Sequence, residues 1–460
     1  MSFSDLKNFL RPDQISQSPE DLEIYGKDWT KHLLTRALGV VFPTSTEQVR
    51  DLVLWARANK TALVPSGGRT GMSGAAVATN SELIVSFDKM NKILEFNAID
   101  LTVQCQAGVI TERLQNFAKE KGYYYPVDFA ARGSSHVGGN IATNAGGIKV
   151  LRYGLTRNWV AGIKVVTGQG QILNLNNSLV KNATGYDLRQ LFIGSEGTLG
   201  FITEATFTVT HSPKDLTVFL LGVENLNNVL NIFQTFRREL PLTAYEMFTD
   251  KALACVLKQG HLKNPLSADC PFYVLIEFEH ESETTMDQAM GLFELCLEKN
   301  WVVDGAVSQT AQQAKDFWRL REDISESTAP HQPYKNDISV RVSDVTAFLT
   351  ELNQLLTTEY PDFEVIWFGH IGDGNLHINI LKPPSLTSTE FLNKCHKVDQ
   401  HLFEMIARFK GSISAEHGVG LTKKPYLEYT RSPDEIQLMR EIKKVFDPDG
   451  IINPGKIFDI

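Results

Sequence analysis

PSGGRTGMSG, residues 65–74, places glycine at 67, 68, 71 and 74. Glycine at that density lets the backbone adopt positive φ and aim several N–H groups at one anion, as a pyrophosphate requires. An ordinary flexible loop has the same composition, and the block taken alone favours that plainer reading. Its surroundings change the balance. Upstream, LGVVFP (38–43) is an apolar run, Thr44-Ser-Thr-Glu47 has the form of a capping box, and Val49, Leu52, Val53 and Ala56 recur at helical spacing. TALVP (61–65) is the next apolar run, so a strand–helix–strand unit empties directly into the glycines. Downstream, LIVSF, ILEF and LTVQCQAG read as strands and 111–121 as a helix, which together predict an α+β fold.

Two further glycine blocks follow. GSSHVGGNIATNAGG (133–147) carries five glycines among Ser, Asn and Thr, and GSEGTLG (194–200) carries three more. Three such loops within one domain suit a long, folded ligand. Neither a G-x-G-x-x-G opening a helix nor a G-K-[ST] phosphate loop is present, which weakens nicotinamide and ATP readings. In order and spacing the blocks resemble the FAD-binding half of the vanillyl-alcohol-oxidase flavoproteins, the two-subdomain fold also named after p-cresol methylhydroxylase. The resemblance covers about residues 35–215. It implies that Pro65, Ser66, Gly67, Gly68, Arg69, Thr70, Gly71, Ser73 and Gly74 hold the pyrophosphate. Ser134, Gly138, Gly139, Ala142, Thr143, Gly146, Glu196, Gly200 and Ile202 would hold the ribityl chain and isoalloxazine, with Asn453 returning from the C-terminus. Members that bind flavin covalently use a loop His or Cys; this first loop has neither, so the expected FAD is non-covalent.

Beyond HSPKD (211–215) the text changes, and a domain boundary is expected there. FYVLIEFE (272–279) aligns Phe272, Val274, Ile276 and Phe278 on one strand face, and 283–299, 310–328 and 343–357 look helical. In FGHIGDGNLHINI (368–380), Leu376, Ile378 and Ile380 alternate with His377 and Asn379, giving one apolar and one chemical face. SAEHGVG (414–420) sets Glu416 beside His417 in another glycine-rich turn. His370, His377 and Glu416 form the two-imidazole, one-carboxylate set of a catalytic zinc with one position open. Most of the eleven histidines, His32, His261 and His401 among them, read as ordinary surface or core residues. The glycines crowding 369–374 and 418–420 set this cluster apart, because they cost stability unless something approaches the backbone.

GHIGDGNLHINI, SAEHGVG and the terminal FDPDGIINPGKI resemble the C-terminal half of the flavin D-lactate, glycolate and D-2-hydroxyglutarate dehydrogenases, over about 215–458. FWRLREDIS and PYKNDISV are most similar to the D-2-hydroxyglutarate branch. That resemblance implies substrate binding by Arg321, Ser325, Lys335, His370, Asn379 and His417. Ser325 stands where Thr is usual, keeping the hydroxyl, and Arg69 stands where a neutral residue is usual. The expected domains are an N-terminal segment 1–34, an FAD domain 35–214, an αβ cap with a central antiparallel sheet over 215–430, and a C-terminal helix and tail 431–460 returning to the flavin.

The expected activity is oxidation of a D-2-hydroxy acid, D-2-hydroxyglutarate first and D-malate close to it, with hydride passing to flavin N5 and His417 as base. Zn2+ or Mn2+ would assist, and electrons would leave to an electron-transfer flavoprotein or a quinone. D-lactate oxidation, a glycolate oxidase FAD subunit, an alkyl-dihydroxyacetone-phosphate synthase and a plain metallohydrolase are the rivals. The last leaves the glycine blocks idle. A net charge of −9 argues against nucleic acid. Cysteines 105, 255, 270, 296 and 395 lack C-x-x-C spacing and read as buried thiols. With no signal-like N-terminus and no run of about 18 apolar residues, the expected location is cytoplasmic, with peripheral contact to the inner membrane and homodimerisation left open.

Overall fold

The computed structural model describes residues 3–30, 33–280 and 282–460; His32 lies outside them. Two compact units form. The first takes residues 1–147, 154–212 and 416–460, and the second 148–153 and 213–415.

In the first unit β1 (Ile15–Ser16), β2 (Gly39–Val41), β3 (Leu63–Ser66) and β4 (Leu83–Ser86) make a sheet of order β1-β2-β4-β3, with β2, β4 and β3 mutually parallel. β2 and β4 are buried throughout, as parallel strands covered on both faces must be. The helix Thr46–Asn59 supplies part of that cover through Val49, Leu52, Val53 and Ala56. Its cap is Ser45, whose hydroxyl accepts the Gln48 amide, rather than Thr44, whose own amide donates to the Gln48 side chain. The open edge of β3 is closed by the C-terminal tail, where the Leu63 amide donates to the Ile451 carbonyl and the Asn453 amide to the Leu63 carbonyl. A second sheet, β5 (Ile93–Asn97), β6 (Thr102–Gln106), β7 (Val160–Thr167), β8 (Ile172–Leu175) and β9 (Gly200–Thr208), is antiparallel with order β5-β6-β9-β7-β8.

The second unit is built on seven antiparallel strands: β10 (Asp215–Val223), β11 (Leu242–Thr249), β12 (Phe272–His280), β13 (Asp304–Val307), β14 (Tyr334–Ser339), β15 (Val365–Gly369) and β16 (Asn375–Ile380). Their order is β13-β10-β12-β11-β15-β16-β14. Opposite residues of antiparallel strands share a face. The register Phe248↔Phe368↔His377↔Asp337, with Asn379↔Lys335, therefore assembles one face from four strands, and Glu246, two residues before Phe248, joins it. On that face Phe248, Leu275 and Phe368 pack against Phe317, Trp318 and Leu320 of the helix Ala311–Glu322. Burial of such side chains contributes about 2 kcal/mol each. Leu376, Ile378 and Ile380 turn to the other face and are buried.

The expected α+β fold with an antiparallel second sheet is observed. The boundary drawn at 430 is replaced by one at Ala415. Residues 419–422 belong to the first unit because the Val419 and Gly420 amides donate to Glu196, and those of Leu421 and Thr422 to the Ser73 carbonyl. Residues 148–153 leave the FAD-domain text for the second unit, where Lys149 is buried against Glu277. All five cysteines are buried thiols. Among the described residues no helix is long and apolar enough to cross a membrane.

Candidate active site

The three glycine blocks converge within the first unit. A Cβ on Gly68 would stand 2.1 Å from the Ser134 carbonyl oxygen, and one on Gly197 would stand 2.6 Å from the Pro65 ring, so the blocks pack too closely to admit a side chain at either glycine. Gly74 has φ +80, and its amide donates to Asp28. Ser134 to Gly147 runs into the short helix Val137–Thr143, where a Cβ on Gly139 would meet nothing within 4 Å. The Gly194 amide donates to the Ile141 carbonyl and the Glu196 amide to that of Ala142, tying the third block to the second. Asn453 joins them by donating its side-chain amide to the carbonyls of Ala75 and Glu196.

The buried Ser73 Oγ, His136 Nδ1, Asn453 Oδ1 and Lys456 Nζ have no hydrogen-bond partner among the described residues. Buried polar atoms left this way are rare, and here they cluster where a polar ligand is expected. The residues present therefore fit FAD.

Two of the expected cofactor residues are engaged within the protein. Arg69 donates to the Gly67 carbonyl at 2.8 Å, pairs with Asp88 at 3.2 Å and lies over the Tyr25 ring. Glu196 accepts the Val419 and Gly420 amides at 2.6 and 2.8 Å. Burial pushes its carboxyl up to about 7 against the opposing pull of those amides. Gly200 and Ile202 lie at the start of β9, with Ile202 buried.

The second constellation lies on the chemical face of the seven-stranded sheet. His370 and His377, with Glu416 one peptide bond beyond Ala415, each offer a ligand atom, and these atoms lie within 4.8 Å of one another. Metal–ligand bonds of about 2.1 Å require slightly closer approach, within reach of a small side-chain rotation. His370 Nδ1 lies 2.7 Å from Glu246 Oε1, and His377 Nδ1 lies 3.8 Å from Asp337 Oδ1. A carboxylate hydrogen-bonded behind the ring, as for His370, is the arrangement that orients metal-binding histidines, and Asp337 places a second carboxylate near His377. The donor set and its backing fit a divalent cation.

Arg321 is buried over the Phe368 ring, 4.6 Å from its centroid, with Nε 2.9 Å from Glu246 Oε2. That approach makes an ion pair but is out of line for a hydrogen bond, leaving Nε and Nη2 without hydrogen-bond partners. Asn379 Nδ2, on the same face, is likewise buried without one. Lys335 sits opposite Asn379 in register, whereas Ser325 is exposed on the helix Ile324–Thr328. Burial raises the Asp373 carboxyl to about 6, with His370 opposing and Glu246 reinforcing the shift. Burial also disfavours charge on Glu246, but His370 and Arg321 outweigh it and hold that carboxyl below its usual value.

Sequence reading passed over Glu246, Asp337 and Glu277. Glu246 and Glu277 are acids at positions whose alternation marks them as buried: 244, 246 and 248 on β11, and 275 and 277 on β12. That mismatch was the available signal. Glu277 accepts hydrogen bonds from Lys149, Thr243 and, at 2.7 Å, the Trp318 indole.

Residues 212–457 match the family of FAD linked oxidases, C-terminal domain, and residues 37–176 match the FAD binding domain. The chain belongs to the FAD-linked oxidase family. It is an FAD-dependent dehydrogenase, and its two matched regions cover most of the sequence. It is 57% identical over 454 residues to a D-2-hydroxyglutarate dehydrogenase of Stutzerimonas stutzeri, covering 99% of this chain and 98% of that one. A second relative of that description, from Xanthomonas citri pv. viticola, is 53% identical (97% and 94% covered), and a mitochondrial one from Danio rerio is 36% identical (97% and 83%). Among solved structures, p-cresol methylhydroxylase with substrate bound superposes with a TM-score of 0.78 at 14% identity (99% and 96% covered). An alkyldihydroxyacetonephosphate synthase does so at 0.74 and 18% (98% and 84%). At such identities these two share the fold.

Proposed function

We propose that the protein oxidises D-2-hydroxyglutarate to 2-oxoglutarate, with FAD and a divalent metal, Zn2+ or Mn2+, as its cofactors. What carries this reading is the convergence of His370, His377 and Glu416 beside a buried, incompletely hydrogen-bonded Arg321, in a chain 57% identical to an enzyme of that description. FAD held by the glycine loops would supply a hydride acceptor, and a divalent ion held by His370, His377 and Glu416 would supply positive charge to offset the negative charge developing on the substrate.

The chain's own residues do the rest. Arg321 and Lys335 hold carboxylate oxygens, Arg321 through the Nη2 amino group that lacks a hydrogen bond within the protein. Two side-chain cations suit a dicarboxylate better than a monocarboxylate such as lactate. Asn379 donates its unpartnered amide to a substrate oxygen, and the Ser325 hydroxyl offers a further contact. His417 takes the hydroxyl proton as the C2–O bond becomes a carbonyl, imidazole being the side chain that titrates near neutrality. The glycine loops and Asn453 hold the dinucleotide, and Glu196 fixes the turn that follows His417. Electrons then leave to an electron-transfer flavoprotein or a quinone.

Anaerobic mixing of the purified yellow protein with a panel of D- and L-2-hydroxy acids, with and without chelator, tests this. D-2-hydroxyglutarate should bleach the flavin fastest and chelator should abolish the bleaching. Faster bleaching by D-lactate, or indifference to chelator, would refute the substrate or the metal assignment respectively.

A further inference from the structure

The two oxygens of Glu246 serve two different groups. Oε1 lies 2.7 Å from His370 Nδ1, and Oε2 lies 2.9 Å from Arg321 Nε. The side chain is 2% exposed, so water cannot replace either partner. Its backbone is held in β11 between β12 and β15, on the sheet face that also carries His377 and Asn379. We propose that Glu246 is a positioning residue shared by the metal site and the carboxylate site, so that filling one site changes the affinity of the other.

With Nδ1 facing a carboxylate, the His370 proton resides on Nδ1 and Nε2 is left as the ligand atom, its basicity raised by the acceptor behind the ring. Arg321 draws on the same carboxylate. An anion bound to Arg321 competes for the guanidinium and leaves more of the Glu246 charge to His370; a cation on His370 does the reverse. Coupling of this kind is reciprocal by thermodynamic necessity. The inference rests on the metal and substrate reading above and adds the link between the two.

The FAD-loaded protein is titrated with Zn2+ in competition with a fluorescent chelator, in the absence and presence of saturating glutarate, a dicarboxylate without the 2-hydroxyl. In the wild type glutarate should shift the apparent Zn2+ affinity at least about fivefold, the lower end of the usual range for coupled sites. Glu246→Gln should weaken Zn2+ binding about 10–100-fold, as loss of a partner behind a ligand histidine does, and should erase the glutarate effect. Arg321→Met, which removes no ligand, should shift Zn2+ affinity at least about threefold when Glu246 is present and not in the Glu246→Gln background. Glu246→Asp, keeping the charge, should recover part of the affinity.

Zn2+ affinity of Glu246→Gln within twofold of wild type, or an undiminished glutarate shift in that variant, overturns the proposal. Flavin content and visible spectrum matching the wild type separate a positioning effect from misfolding. Should Glu246→Gln fail to hold FAD, Arg321→Met decides: unchanged Zn2+ affinity in it overturns the coupling. Failure of the underlying reading shows separately, as wild-type Zn2+ affinity no better than that of His370→Ala. The proposal falls with it.

Discussion

Glu196 in the first unit and Glu246 in the second are both almost fully buried, yet burial leads to opposite outcomes. Glu196 is held by two backbone amides and its carboxyl is pushed up to about 7; Glu246 faces His370 and Arg321 and is held below its usual value. Desolvation acts on both in the same direction, so the partners decide. Amide dipoles fix a loop without adding net charge, whereas full charges on both sides of a carboxylate suit a region that handles ions. The glycine-loop region is thus built to shape a backbone around a cofactor, and the sheet face is built to arrange charge.

If the sheet face handles ions, His377→Ala should produce the largest effect. We expect loss of bound metal and at least about a thousandfold lower turnover, with the flavin spectrum unchanged. A metal-free variant that remains active would break the contrast. Glu277→Gln sharpens it, because Glu277 lies on the same face and pairs with buried Lys149 without contributing a ligand. It should cost about 3–5 kcal/mol in denaturant unfolding of the holoenzyme, the penalty of an orphaned buried charge, with Zn2+ affinity kept. Conversely, a normal unfolding curve for Glu277→Gln would mean that the pair is structurally idle.

For Glu196 the sign follows from its raised carboxyl value: the folded state retains a proton that the unfolded chain releases above about 4.5. Its contribution to stability is complete below that value and is lost as pH rises to about 7, a span of about 3 kcal/mol. Glu196→Gln should flatten the melting temperature across that window; an unchanged slope would place the titration elsewhere. Arg69→Met should give the smallest change. With its side chain 21% exposed and paired to Asp88, it should lose no more than about 1 kcal/mol of stability and leave FAD affinity within threefold. A larger loss of FAD would return Arg69 to the pyrophosphate.

The three glycine blocks and the alternation of β16 were legible because both signals are local: glycine density marks close backbone approach, and a period of two separates one strand face from the other. They marked the segments that close on a ligand and the strand face that carries His377, whereas the FAD half and the antiparallel second sheet were expected from the family resemblance. The buried acids were not singled out, since an acid inside an apolar strand gains meaning only from what lies across the register. Glu246 meets His370 from 124 positions away and Arg321 from a helix packed on the sheet.

By itself, then, the sequence determined which backbone segments must approach a ligand and which faces carry chemistry, because those properties depend on neighbours along the chain. Only the tertiary structure decided that residues 148–153 cross into the second unit, that the turn after His417 is fastened by Glu196, and that one carboxylate stands between His370 and the buried arginine. Those outcomes depend on strand order and on distances between charges remote in sequence, which no local period encodes.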